Sequence, residues 1–222
     1  MKKIMKYIPT IILTLLCSCS DYLDIVPDNV TTLDIVFNNR NTAERYLANC
    51  YHFVPDHGSV KRIPGMGAGH ECWFYTTNDS HFDNEVSFYI ARGLQNIDAP
   101  YANYWDGEGG SNLPMFRAIR ECNIFLDYVR DQHKVNDLTD SERKRWIAEV
   151  NVLKAYYHFF LFEHYGPIPI VDKALPVSTD PEGVKVTRMP VDQIVDYMVK
   201  LIDDSYKDLP PVITMEATEM GR

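Results

Sequence analysis

The stretch AEVNVLKAYYHFFLFEHYGPIPIV, Ala148 to Val171, decides the fold. Trp146, Val150, Leu153, Tyr157, Phe160 and Leu161 recur at helical spacing and form one apolar stripe. Ala148, Val152, Ala155, Tyr156 and Phe159 form a second. A helix apolar on two sides is packed between layers rather than lying on a surface. Thr139 and Glu142 have capping-box spacing and start it. Gly166 ends it near His164, and Pro167 and Pro169 prevent its resumption. Trp146 and Tyr157, on a strong stripe, read as core.

Working outward, Phe116, Ile119, Cys122, Phe125, Leu126 and Val129 predict a helix over 113–131. A short polar link joins it to 140–164, so the two pack as an antiparallel pair. Downstream, Val191, Ile194, Val195, Met198, Leu201 and Ile202 predict a helix after Pro190, stopped by Pro210-Pro211. Upstream, a first helix runs from Thr42 to about Phe53, capped by Asn41 with Glu44 as its capping-box partner. Residues 54–113 show only weak helical periodicity and concentrate glycine and aromatic residues. So long an irregular stretch is uncommon unless it binds something or is disordered, and its aromatics argue against disorder. The expected architecture is all-α, with a long, loop-rich aromatic insertion.

Composition sets further bounds. The chain has 222 residues, 45% hydrophobic and 24% charged, which suits a globular protein with a real core. Asp plus Glu number 31 against 22 Lys plus Arg, a net charge of −9. An acidic chain without a basic stripe makes a poor nucleic-acid binder. Mean hydropathy of −0.25 is too low for an integral membrane protein.

The first eighteen residues differ from the rest. Lys2, Lys3 and Lys6 precede a short apolar run, Tyr7 to Leu16. A spanning helix needs about 20 apolar residues, so residues 1–18 read as a signal peptide. Leu16-Cys17-Ser18-Cys19 resembles a bacterial lipoprotein signal, with Cys19 the acylated residue; an ordinary cleaved signal is the alternative. Several acyl chains would anchor the protein stably to a membrane. Residues 19–30 read as a polar tether. Cys50, Cys72 and Cys122 remain, too few for a disulfide framework.

Catalytic motifs are scarce. There is no Gly-x-Ser-x-Gly, His-Glu-x-x-His or paired Cys-x-x-Cys. Gly65-x-Gly67-x-Gly69 has the wrong spacing for a phosphate loop and reads as a flexible loop. His70, Cys72, Asp79, His81 and Asp83 match no standard metal site, and Asp79, Asp83 and Glu85 lack calcium-loop spacing. No metal or cofactor is called for. The aromatic insertion is the better clue. Flat rings cover the apolar C–H faces of sugars, while Asp, Asn and Arg pair their hydroxyls. A buried hydroxyl left unpaired costs about 1–3 kcal/mol, which gives selectivity. Trp73, Tyr75, Tyr101, Tyr104 and Trp105 are candidate platform rings, and Asp79, Asn84, Arg92, Asn103 and Asn112 candidate polar partners. Core packing is the competing reading for each ring.

The segment 148–171 resembles the signature of the SusD/RagB family of outer-membrane lipoproteins. The matching residues are Glu149, Leu153-Lys154-Ala155, Tyr157, Tyr165-Gly166 and Ile168-Pro169. Lys154 stands where Arg is usual and Val150 where Ala is usual. Residues 19–29, 37–51 and 116–126 are similar to the family's start, first helix and pre-signature helix. The resemblance implies an all-α fold with tetratricopeptide-like helix pairs, and a chain more than twice this long. Residues 31–222 are then the N-terminal part of the helical domain. It also implies a lipid-anchored surface protein that binds glycans, or in some cases peptides, and serves a SusC-like TonB-dependent transporter. Binding and hand-over, not covalent chemistry, is the expected mechanism. A surface glycoside hydrolase and a scaffold on the transporter are the alternatives from other classes.

Overall fold

A computed structural model describes residues 32–58, 64–69, 86–107, 113–175, 182 and 185–211. The signal peptide, the tether, Cys19 and Cys72 lie outside the described residues. Every regular element among those described is helical. In chain order they are α1 (Leu33–Val36), α2 (Arg40–Tyr51), α3 (Pro64–Gly67), α4 (Val86–Ala91), α5 (Met115–Arg130), α6 (Asp140–Tyr165) and α7 (Val191–Ser205). A 3-10 turn, Tyr206–Asp208, follows α7. The chain divides into two units at Ile35/Val36. The first contributes only the start of the α1 turn; the second carries all that follows.

α6 is the spine of the second unit. Its capping box forms as expected: Glu142 N–H donates to Thr139 Oγ1 at 3.3 Å, and Thr139 N–H donates to Glu142 Oε2 at 3.2 Å. Gly166, at φ 67°, ends it and donates its N–H to the Phe162 carbonyl. Only glycine takes that φ without a Cβ penalty. The first stripe is buried throughout, Trp146 and Tyr157 included. It packs against α5 and α2, whose inward faces are Met115, Ala118, Ile119, Cys122, Phe125, Leu126 and Val129, and Ala43, Leu47 and Cys50. Phe37 closes this core, stacked on Tyr128 at 4.5 Å and tilted against Tyr46 at 4.9 Å.

The connector between α5 and α6 is tied down by a buried cation. Arg143 donates to the carbonyls of Val129 (2.6 Å), Asp131 (3.3 Å), Lys134 (3.1 Å) and Val135 (2.9 Å). Helix C-termini leave four carbonyls unpaired and carry partial negative charge, and one guanidinium answers both needs. The pair therefore folds back on itself as expected.

Four expectations change. The first helix starts at Arg40, because Asn39 and not Asn41 caps it: Asn39 Oδ1 accepts from Thr42 N–H at 3.1 Å. Both asparagines have the same capping chemistry; Glu44 turns to Arg40 at 3.2 Å and closes no capping box. The glycine run begins inside a helical turn, α3, and α4 gives 54–113 a second helical element. Elements of four and six residues are too short to print a period. The last helix ends at Ser205, ahead of the prolines. It buries Ile194 and Met198, while Val191, Val195 and Ile202 are exposed.

The second face of α6 is the largest change. Ala148 and Ala155 are buried there, but Val152 and Tyr156 are half-buried and Phe159 is 48% exposed. The layer against α7 adds polar pairs to its buried Ile194 and Met198. Asn151 Nδ2 donates to Ser205 Oγ at 3.1 Å. Lys154, 1% exposed, donates to Asp172 Oδ1 at 2.7 Å and to the Asp172 carbonyl at 3.1 Å. Tyr197 from α7 donates to the same carboxylate at 2.8 Å. Burial lowers the Lys154 pKa against the pull of Asp172. Burial acts to raise the Asp172 pKa, but the bonds from Lys154 and Tyr197 outweigh it and hold the acid below its usual range. Cys50 and Cys122 are buried free thiols. A contact with Cys122, then burial, holds the Cys50 thiol far above its usual range, so it packs as a small hydrophobe.

Two stability predictions follow from this layer. Asp172→Ala strands a buried ammonium and costs about 3 kcal/mol, whereas Lys154→Met replaces the charge by apolar volume and costs about 1 kcal/mol or less. Urea midpoints of the two variants rank them. The second concerns His158, fully buried on α6, whose pKa is pushed down to about 4 by burial. The unfolded chain, near 6.5, binds a proton that the folded chain refuses. Stability is therefore complete above about pH 6.5 and falls as pH drops toward 4, by about 2 kcal/mol at pH 5. Denaturation of His158→Gln across pH 5–7 should show a flatter profile than the parent chain.

Candidate functional site

Two non-helical segments meet beside the N-terminal end of α5. One is the loop 101–107. Gln95 braces its start, donating to the Tyr101 carbonyl (2.9 Å) and accepting from Tyr101 N–H (2.6 Å), and Tyr89 stacks on Tyr101 at 4.7 Å. Asn103 turns inward on the loop itself: its Oδ1 accepts from Trp105 N–H at 3.1 Å and its Nδ2 donates to Asp106 at 2.7 Å. Tyr104 is 1% exposed, wedged edge-on between Phe160 (4.9 Å) and His164 (4.8 Å). Burial pushes its phenol up to about 12. Its backbone is held too, by Tyr165 Oη accepting its N–H at 2.8 Å and by Met115 N–H donating to its carbonyl at 2.9 Å. Gly107, at φ 90°, closes the loop.

The other segment is the strap from Pro167 to Leu175, which leaves α6 at Gly166. It is pinned from four positions. Asn123 Nδ2 donates to the Val171 carbonyl at 3.0 Å, and Arg120 Nη1 donates to the Leu175 carbonyl. Lys154 holds Asp172, and His158 Nε2 accepts Val171 N–H at 3.5 Å. His158 Nδ1 pairs with the Lys154 carbonyl at 2.7 Å. Its neutral form can therefore donate at Nδ1 and accept at Nε2, which matches its depressed pKa.

Between loop and strap lies a cavity of about 230 Å³. Its rings are Trp105 and Phe116, its aliphatic walls Pro169, Val171, Leu175 and Val186, and its cations Arg120 and Lys173. Trp105 packs edge-on against Phe116 at 4.6 Å and Tyr165 at 5.5 Å, and the Arg188 guanidinium sits 5.2 Å from its ring centre. An apolar cavity with a few placed polar groups is the usual form of a small-ligand site.

Among the described candidates, Trp105 reaches this cavity. Tyr101 is half-buried against Tyr89, Asn103 is spent on its own loop, Tyr104 is core, and Arg92 is exposed just after α4. Trp73, Tyr75, Asp79, Asn84 and Asn112 lie outside the described residues, as do His70, His81, Asp83 and Glu85. Phe116, Arg120, Lys173, Val186 and Arg188 were missed. The proline-broken run after Gly166 was the available signal, because it had to be extended chain beside the spine. Among the described residues no group of three His, Cys, Asp or Glu is placed to hold a metal ion. No described helix is long and apolar enough to cross a membrane.

Comparison with known proteins returns one family. The SusD-like family described as "Starch-binding associating with outer membrane" matches residues 21–218. A laminarin-binding SusD-like protein is similar in structure, with 17% identity and a TM-score of 0.60 over 84% of this chain and 37% of its own. A SusD-like protein from Bacteroides fragilis NCTC 9343 gives 17% identity and a TM-score of 0.59, over 90% and 34%. A SusD-like carbohydrate-binding protein from Bacteroides vulgatus ATCC 8482 gives 15% identity and 0.52, over 82% and 38%. The chain thus spans little more than a third of these structures' lengths. No curated protein sequence matches it.

Gly107 tests how the loop presents its tryptophan. A Cβ there would stand 2.8 Å from Pro114 Cδ, in a conformation that L-residues avoid. Gly107→Ala should cost about 2 kcal/mol or more and shift Trp105, read as a changed tryptophan emission in the folded protein.

Proposed function

This chain belongs to the SusD-like family, and we propose that it captures oligosaccharide at the outer membrane and hands it to a SusC-like TonB-dependent transporter. The observation that carries the ligand half is the Trp105 cavity: an indole at the edge of an apolar recess, with cations beside it. A sugar ring offers the matching surface, an apolar C–H face bordered by hydroxyls. The two arginines donate to backbone carbonyls already and retain further N–H groups, since a guanidinium carries five donors. Such groups orient a ligand without reacting with it.

The transporter half draws on the family and on the amino terminus. A lipidated Cys19 would place the domain on a membrane surface by a tether, where a barrel partner is also found. Capture close to the partner raises the local ligand concentration without new contacts. The candidate ligand residues outside the described segments, Trp73, Tyr75, Asp79, Asn84 and Asn112, belong to the same reading with Trp105.

Trp105→Ala in the full-length protein should weaken oligosaccharide binding about tenfold or more, which is about 1.4 kcal/mol, and Trp105→Phe should recover part of it. Isothermal titration against a glycan panel measures both. Binding of peptide digests with none of glycans would transfer the site to a peptide ligand. Sugar release on incubation with polysaccharide would make the protein a hydrolase.

A further inference from the structure

The cavity has a charge character that the chain as a whole lacks. The sequence is acidic, with 31 carboxylates against 22 cations. Yet the described ionisable side chains that line the cavity are Arg120 and Lys173, both cationic, and Arg188 lies over Trp105. Among the described residues no Asp or Glu lines it. Among the described residues none of these three cations is ion-paired; the bridges run elsewhere, through Arg40, Arg117, Arg145, Lys154, Lys185 and Lys200.

Their supports are neutral. Arg120 donates to the Leu175 carbonyl, and Arg188 to the carbonyls of Pro167 at 2.8 Å and Tyr165 at 3.4 Å. Carbonyl oxygens fix a guanidinium in place and leave its charge uncancelled. Lys173 follows Asp172, the residue clamped by Lys154 and Tyr197, so its backbone is anchored while its ammonium is exposed. Charges set against apolar walls are less screened than charges surrounded by water on every side. An uncharged sugar leaves that field unused, whereas an anionic one is held by charge-assisted hydrogen bonds.

Resting on the reading of the cavity as a glycan site, we infer that its ligand is an acidic sugar: a ring whose apolar face meets Trp105 and Phe116 and whose carboxylate or sulfate meets Lys173 and Arg120. Carboxylate and sulfate share the chemistry that this wall recognises, and the experiment separates them.

The test uses the full-length protein and one set of oligosaccharide backbones, each neutral, oxidised at C6 to the uronate, and sulfated. Calorimetric titration should give at least tenfold tighter binding of one or both acidic forms. The advantage should shrink between 50 and 300 mM salt and fall at least fivefold in Lys173→Gln. Lys173→Glu should reverse it, and Lys200→Gln, on the outer face of α7, should leave it intact. Equal affinity for neutral and acidic forms would overturn the inference and leave the capture reading standing. An acidic preference that survives Lys173→Gln and Lys173→Glu would overturn it too, by placing the preference elsewhere. Failure of every glycan to bind would remove the capture reading, and the inference with it.

Discussion

An ammonium buried in the middle of a helix must be answered, or the fold does not close around it. Lys154 is that charge, and Asp172 answers it at 2.7 Å. Burying the ammonium alone costs about several kcal/mol, and the Asp172 carboxylate, 63% exposed, offsets that cost from the surface. The consequence reaches beyond one ion pair. Asp172 lies in the strap that leaves α6 after Gly166, and its neighbours Val171 and Lys173 line the cavity. Tyr197 binds the same carboxylate from α7. One contact therefore sets three things: where the strap runs, where α7 sits on α6, and which side chains the cavity receives. An arginine would offer a bidentate fork here. The lysine reaches the same end with one bond to the carboxylate and one to the carbonyl of a single residue.

The rest of the spine shows the same use of buried polar groups as fasteners. Arg143 gathers four carbonyls at the α5–α6 connector. Tyr157 donates to the Cys50 carbonyl at 2.5 Å, tying α6 to α2. His158 serves the strap, and Asn151 holds Ser205. Each spans two elements that hydrophobic contact alone would leave free to slide. Apolar burial supplies most of the driving force and is non-directional; these bonds choose the register. That division explains why the irregular segments around the cavity hold a defined shape.

The sequence showed most of this framework and little of the site. Helices α5, α6 and α7 were legible because sixteen, twenty-six and fifteen residues print several turns of a 3.6 period. The capping box and Gly166 were legible because local bonds fix them. Asn39 against Asn41 was not, since capping chemistry is the same for both and only the packing of Ala43, Leu47 and Cys50 decides. The second face of α6 misled for a related reason. Ala148 and Ala155 are small, and the polar side chains beside them, Asn151, Lys154 and His158, find their partners Ser205, Asp172 and Val171 only elsewhere in the sequence. Trp105 was a candidate by residue type. Its cavity partners Arg120, Lys173 and Arg188 lie on a helix, a strap and a loop, with no spacing to unite them.

Tyr104 and Trp105 show how a site of this kind is assembled. They are adjacent, both aromatic and equally plausible as ligand rings, yet the structure gives them opposite duties. Tyr104 points its contacts at Phe160 and His164 and has both backbone polar groups bonded, so it anchors the loop to the spine. The next residue is then carried to the cavity without any anchoring task for its own ring beyond Phe116 and Tyr165. A ring presented this way loses little further freedom when ligand arrives, and pre-paid ordering is affinity that need not come from new contacts. Asn103 and Gly107 serve the same end, the first by accepting the Trp105 N–H and the second by taking a φ that lets the loop turn back toward α5. The strap opposite is pinned at Val171, Asp172 and Leu175 by side chains of α5 and α6. Both walls of the cavity are thus irregular in backbone and held firmly to the helices behind them.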